Sequence, residues 1–130
     1  NYQVINRADC DGQIEIAMPT MKQMLKETPD VDVVMALNDR SALGALAAIE
    51  SMEIDNVLVY GVDGSPDVKE LINTGLIQAT AAQSPVKMGQ LAYQKAKALL
   101  ENKKIEKKIE VPVELISRDN ISNFELTGWQ

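Results

Sequence analysis

The sequence predicts an α/β fold built on a mostly parallel sheet. Helical and strand-like patterns alternate along the whole chain. The strand-like segments are short, nearly continuous apolar runs, as in strands buried on both faces. A helix-length connection joins each strand to the next, and such connections join parallel neighbours with helices laid on both faces of the sheet.

The elements follow in order. Ile14, Ala17, Met18, Met21, Met24 and Leu25 recur at helical spacing over residues 13–26. Asp11 or Gly12 is a suitable cap before that helix. Pro29-Asp30 marks a turn, and residues 33–37 form the first strand. Residues 41–51 are rich in alanine and leucine and read as a helix packed closely on a sheet. Residues 57–60 form the second strand, and residues 61–67 a turn-rich loop. Ser65 suits an N-cap and Pro66 the first helical position, and the helix through Leu71 and Ile72 should stop at Gly75. Residues 77–82 form the third strand, closed by Gln83-Ser84-Pro85, and a longer helix covers about 86–102. Residues 109–116 form the last strand. Pro112 cannot donate to a ladder, so this strand is expected at an edge or bent. The methionines at helical spacing are expected to fill the core.

Composition narrows the function. One domain is expected from 130 residues, and 45% hydrophobic with 25% charged residues is ordinary globular usage. No apolar run approaches the roughly 20 residues of a membrane helix. No basic segment followed by an apolar one opens the chain, so no secretion signal is expected within it. The net charge of -6 repels phosphates, and nucleic-acid binding is not expected. Lys103, Lys104, Lys107 and Lys108 are interrupted by Glu101, Glu106 and Glu110, which reads as a solvated turn. Cys10 is the single cysteine and there is no histidine. An internal disulfide, a cysteine zinc site and histidine-based catalysis are therefore excluded. Asp9 and Asp11 start like a calcium loop, but its glycine and distal glutamate are missing at the required offsets. The segment Gly61-Val62-Asp63-Gly64 matches neither phosphate-binding glycine pattern. No metal or cofactor is expected, and with no nucleophile–base pair the chain is not expected to be an enzyme.

Ligands of open parallel sheets bind beyond the carboxyl ends of the strands. There the first strand delivers Asn38-Asp39, the second Asp63 and the third Gln83. Amides donate and accept, and a carboxylate accepts strongly, so Asn38, Asp63 and Gln83 together suit a hydroxyl-rich guest such as a sugar or polyol. Asp39 is expected to cap the helix that follows it.

Three segments resemble the ribose- and galactose-type periplasmic binding proteins. They are Ala36-Leu37-Asn38-Asp39-Arg40-Ser41-Ala42-Leu43-Gly44-Ala45, Val59-Tyr60-Gly61-Val62-Asp63-Gly64-Ser65-Pro66-Asp67 and Ala79-Thr80-Ala81-Ala82-Gln83-Ser84-Pro85, in the family's order and spacing. The resemblance implies a type I, two-lobed fold of which this chain is the incomplete carboxyl-terminal portion. Residues 1–83 and 109–117 would lie in the second lobe, and the helix near 86–102 would pack on the first. It also implies sugar binding between the lobes through Asn38, Asp63 and Gln83, delivery to an ABC-type permease, and a periplasmic or lipid-anchored extracellular location.

Cys10 matches a position where relatives usually carry an aromatic ring that stacks on the sugar, so it is expected at the ligand with a different wall. Half of a two-lobed protein exposes apolar surface, and self-association into a homodimer is expected of the isolated segment. The alternative is the effector domain of a LacI-type regulator, which shares the fold. The tail Ile116-Ser117-Arg118-Asp119-Asn120-Ile121, closing on Gly128-Trp129-Gln130, resembles the importer-type proteins instead.

Overall fold

The structure is a computed structural model and describes residues 2–129. Helix α1 (Ile14–Glu27) leads to strand β1 (Val33–Met35). Helix α2 (Asp39–Ser51), strand β2 (Leu58–Asp63), helix α3 (Pro66–Thr74) and strand β3 (Ala79–Ala82) follow. Helix α4 (Pro85–Leu100), strand β4 (Glu114–Ser117) and a 3-10 turn (Ile121–Asn123) complete the order. The strands lie side by side as β1-β2-β3-β4. The first three are parallel, with Val34 opposite Val59 and Gly61 opposite Thr80. Strand β4 runs antiparallel to β3, with Thr80 opposite Ile116. The α/β class with a mostly parallel sheet is thus observed.

The core explains why these segments take these forms. Met21 and Leu25 of α1 meet Ala42, Ala45, Leu46 and Ile49 of α2. Val59, Val68, Ile72, Ile77, Ile116 and Ile121 extend that cluster across the sheet to α3 and the tail. Each large side chain buried here contributes about 1.5–3 kcal/mol over its exposed state. The helix ends follow local rules. Ser65 Oγ accepts from the Val68 amide at 3.4 Å with Pro66 directly behind it, and α3 stops at Gly75 in the left-handed conformation (φ 88°).

Several boundaries differ from the sequence expectations: β1 ends at Met35 rather than at residue 37, and β3 starts at Ala79 rather than at residue 77. Strand β2 continues through Gly61 and Val62 to Asp63, where a loop was expected, because β3 pairs with it as far as Asp63 opposite Ala82. The last strand covers only Glu114–Ser117, and Pro112 falls outside it. Its place at the end of the strand order agrees with the edge expectation. The cap position of α1 is Gln13, with no side-chain bond, since Asp11 (φ 51°) and Gly12 (φ 65°) form the turn that leads into the helix. Asp39 does not cap α2. That role falls to Asn38, whose Oδ1 accepts from the Ser41 amide at 2.8 Å, while Asp39 is the first helical residue and is buried.

Helix α4 stands apart. None of its residues is buried, and Val86, Met88, Tyr93, Leu99 and Leu100 are exposed. A single helix of this length is marginal in water without a packed face.

Candidate functional site

The carboxyl edge of the sheet gathers the polar residues singled out in the sequence. Asp63 ends β2 and Gln83 follows β3 immediately, so the parallel register sets them side by side. Gln83 Nε2 donates to Asp63 Oδ1 at 2.9 Å, and the Gln83 amide donates to the Asp63 carbonyl at 3.0 Å. Asp63 has φ 131°, a conformation that residues with a Cβ rarely adopt. Its carboxylate keeps a second oxygen, and further lone pairs, for a guest.

Asn38 closes the first strand's contribution. Its Oδ1 is used by the Ser41 amide and its Nδ2 donates to the Gly12 carbonyl at 3.1 Å. The approach is close: a Cβ on Gly12 would fall 2.7 Å from Asn38 Nδ2 and displace that amide, and the positive φ of Gly12 favours glycine. Cys10 lies in the same turn, with its Sγ 3.2 Å from Ser41 Oγ. Cys10 and Asn38 are therefore joined through Ser41, while Asp63 and Gln83 form a second pair.

Asp39 links the two pairs. Directly after Asn38 in the chain, its carboxylate reaches the β2–α3 loop, where Oδ2 accepts from the Ser65 amide at 2.6 Å and Oδ1 accepts from Thr80 Oγ1 at 2.7 Å. Thr80 Oγ1 in turn accepts from the Gly64 amide at 3.2 Å. Burial pushes the Asp39 carboxyl above its ordinary range, and the nearby Asp63 carboxylate adds to that. The Ser65 amide and the Thr80 hydroxyl act in the opposite direction. Thr80 was missed in the sequence; its signal is a hydroxyl inside an otherwise apolar strand, which needs a partner when buried.

Antiparallel β4 brings one more group to this edge. Its first residue, Glu114, pairs with Ala82, the neighbour of Gln83. A hollow of about 1380 Å³ lies elsewhere, between residues 2–9 and the exposed side of β1. Cys10, Gly12 and Asn38 border it, whereas Asp63 and Gln83 do not. Its other walls are largely apolar, including Val4, Ile5, Met35, Leu37 and Leu58, so it suits protein side chains better than a hydroxyl-rich guest. Among the described residues no group of three or more His, Cys, Asp or Glu side chains is arranged to hold a metal, and no helix is long and apolar enough to cross a membrane.

Comparison with known proteins identifies the family. A profile of the periplasmic binding protein domain matches residues 1–104. The ribose import binding protein of Bacillus subtilis is 38% identical over 113 residues, covering 87% of this chain and 37% of that protein. Its Escherichia coli counterpart is 38% identical over 96 residues, covering 74% of this chain and 32% of that protein. A periplasmic solute-binding protein of an ABC transporter from Actinobacillus succinogenes, solved with bound D-allose, superimposes with a TM-score of 0.91 at 25% identity, over 94% of this chain and 44% of that one. A Caulobacter myo-inositol binding protein bound to myo-inositol gives 0.87 at 25% identity, over 94% and 43%. The chain spans less than half the length of each of these proteins. With its sheet order, its strand-end polar residues and a family match over most of its length, the chain belongs to the periplasmic binding protein family.

Proposed function

We propose that the chain is the carboxyl-terminal portion of a two-lobed solute-binding protein. It would hold a small sugar or polyol between the lobes and deliver it to an ABC-type permease, with no chemistry of its own. Residues 1–83 and 109–117 belong to the second lobe, and α4 packs on the first. The observation that carries this reading is the Asp63–Gln83 pair at the carboxyl edge of β2 and β3. A carboxylate held by an amide offers strong acceptors next to a group that both accepts and donates, which is what vicinal hydroxyls require.

The relatives support the ligand class, since they include a ribose import binding protein and proteins solved with bound D-allose and myo-inositol. They also support a periplasmic site of action; an extracellular, lipid-anchored one is the other location this reading allows. Asn38 supplies the third polar contact, and Cys10 borders the guest where an aromatic wall is expected in relatives. A thiol gives no flat stacking face, so a compact polyol or a sugar with another wall suits it better. The exposed apolar side of α4 supports packing on a second lobe. Ligand bridging the lobes would favour the closed state, and the permease would respond to that state.

Calorimetric titration of the full-length protein against pentoses, hexoses and polyols tests this, with Asp63→Ala alongside. Binding that collapses in the variant is the expected result. If no sugar or polyol binds, the reading is wrong and amines or nucleosides come next.

A further inference from the structure

We propose that Thr80 and Asp39 are positioning residues for Asp63, a buried hydroxyl–carboxylate relay that fixes the loop after β2 and so sets the direction of the Asp63 carboxylate. This deepens the reading of Asp63 as a ligand contact and rests on it.

The case starts from backbone strain. A non-glycine residue at φ 131° is strained, and such residues persist only where their surroundings over-determine them. The surroundings of Asp63 do so on both sides. Its carbonyl is held by the Gln83 amide at 3.0 Å. The next two amides, of Gly64 and Ser65, end on Thr80 Oγ1 at 3.2 Å and on Asp39 Oδ2 at 2.6 Å. The Thr80 hydroxyl closes the relay by donating to Asp39 Oδ1 at 2.7 Å. One carboxylate thus governs two successive amides, one directly and one through a hydroxyl.

The relay is costly to bury, so its presence needs a reason. Asp39 is 1% exposed and Thr80 is 0% exposed. A buried carboxylate without an ion partner is a poor stabiliser, and an apolar pair of similar volume would pack at least as well. The strand is shaped around it: a Cβ on Gly61 would fall 2.3 Å from Asp39 Oδ1. Glycine at this buried strand position leaves room for the carboxylate, at the expense of the packing a side chain would give. What the arrangement secures is the loop that begins at Asp63.

The test uses the full-length protein and two substitutions at one site. Thr80→Val keeps the shape and removes the hydroxyl; Thr80→Ser keeps the hydroxyl. The first readout needs no ligand. It follows the Gln83 side-chain amide signals by NMR, which report the bond to Asp63, together with exchange of the Gly64 amide. Thr80→Val is expected to shift the Gln83 signals and speed Gly64 exchange about tenfold or more, the loss of roughly one buried hydrogen bond. Thr80→Ser is expected to restore both. A lower melting temperature in Thr80→Val with unchanged Gln83 signals would make the relay a plain stability element and overturn the proposal.

The second readout is titration with D-ribose, D-allose and myo-inositol. Thr80→Val is expected to weaken binding about tenfold, and to add nothing in an Asp63→Ala background, because residues acting through one another are not additive. Additive losses would overturn the proposal. If the wild-type protein binds none of the three, the sugar reading fails, while the Gln83 signals still decide whether the relay positions Asp63.

Discussion

Gln83 grips Asp63 twice, with its side-chain amide on Oδ1 at 2.9 Å and its backbone amide on the carbonyl at 3.0 Å. The two residues end adjacent parallel strands, so the contact is set by register rather than by loop closure. A guest would meet a carboxylate already oriented.

Unequal losses at the two positions are therefore expected. Asp63→Ala removes an ionised acceptor worth about 1.5–3 kcal/mol, or roughly tenfold to a hundredfold in sugar affinity. Gln83→Ala removes a neutral group and frees the carboxylate, with a loss nearer tenfold. Titration of both variants of the full-length protein checks the order. A Gln83 variant weaker than the Asp63 variant would contradict it.

Asn38 serves two structural bonds at once, and substitutions can separate them from ligand contact. Asn38→Asp keeps the acceptor for the Ser41 amide and loses the donor to the Gly12 carbonyl. Asn38→Ala also loses the cap, at about 1 kcal/mol. The aspartate variant is expected to melt above the alanine variant, yet to bind sugar at least about tenfold more weakly than wild type, because a second carboxylate offers no donor. Calorimetric melting and titration read the two effects separately. Wild-type affinity in the aspartate variant would remove Asn38 from the site.

Much of this was legible before the fold was known. Parallel strands, the cap at Ser65 and the stop at Gly75 follow from local chemistry. The order of Asn38, Asp63 and Gln83 along the edge follows from topology. What stayed hidden depended on pairs distant in sequence. Asp39 looked like a cap because a carboxylate at the start of a helix usually caps it, yet its partners are Ser65 and Thr80. Strand β2 looked shorter because Gly61 and Gly64 resemble turn residues, whereas Gly61 is there to clear the Asp39 carboxylate. The placing of Glu114 beside the site required knowing that β4 runs antiparallel.

Buried Asp39 gives the fold an unusual pH response. Its carboxyl lies above the ordinary range in the folded state, chiefly through desolvation. A group raised in this way contributes stability that is fully present below its unfolded pKa and lost as pH rises through the folded one. Paired surface carboxylates behave oppositely. The stability gap between wild type and Asp39→Asn should therefore shrink from about pH 4 to about pH 7. Urea midpoints at the two pH values measure it. The groups facing Asp39 are the Ser65 amide and hydroxyl, the Thr80 hydroxyl and the Asp63 carboxylate; only the last is charged, so the comparison is repeated in Asp63→Asn. A gap that widens with pH would reverse the sign argued here.

Lys69 anchors the last segment of the chain. It is 0% exposed, and its ammonium donates to the carbonyls of Glu125 and Gly128, across more than fifty residues of sequence. Both acceptors are neutral, so the ammonium acts as a clamp on backbone rather than as half of an ion pair. The same tail packs Ile121 into the core beside α3, so clamp and apolar contact hold one segment. Lys69→Met keeps the volume and removes the donors. The expected loss is about 1–3 kcal/mol, since bonds to a charged donor are among the stronger ones. It should fall unevenly: amide exchange should rise first over residues 121–129, while β2 and β3 keep their protection. Exchange that rises equally everywhere would mean that Lys69 supports the whole fold rather than the tail. A tail loosened without change at Asp63 would also show that the carboxyl edge of the sheet is set by the strand pairing and the Asp39 relay, independently of the tail.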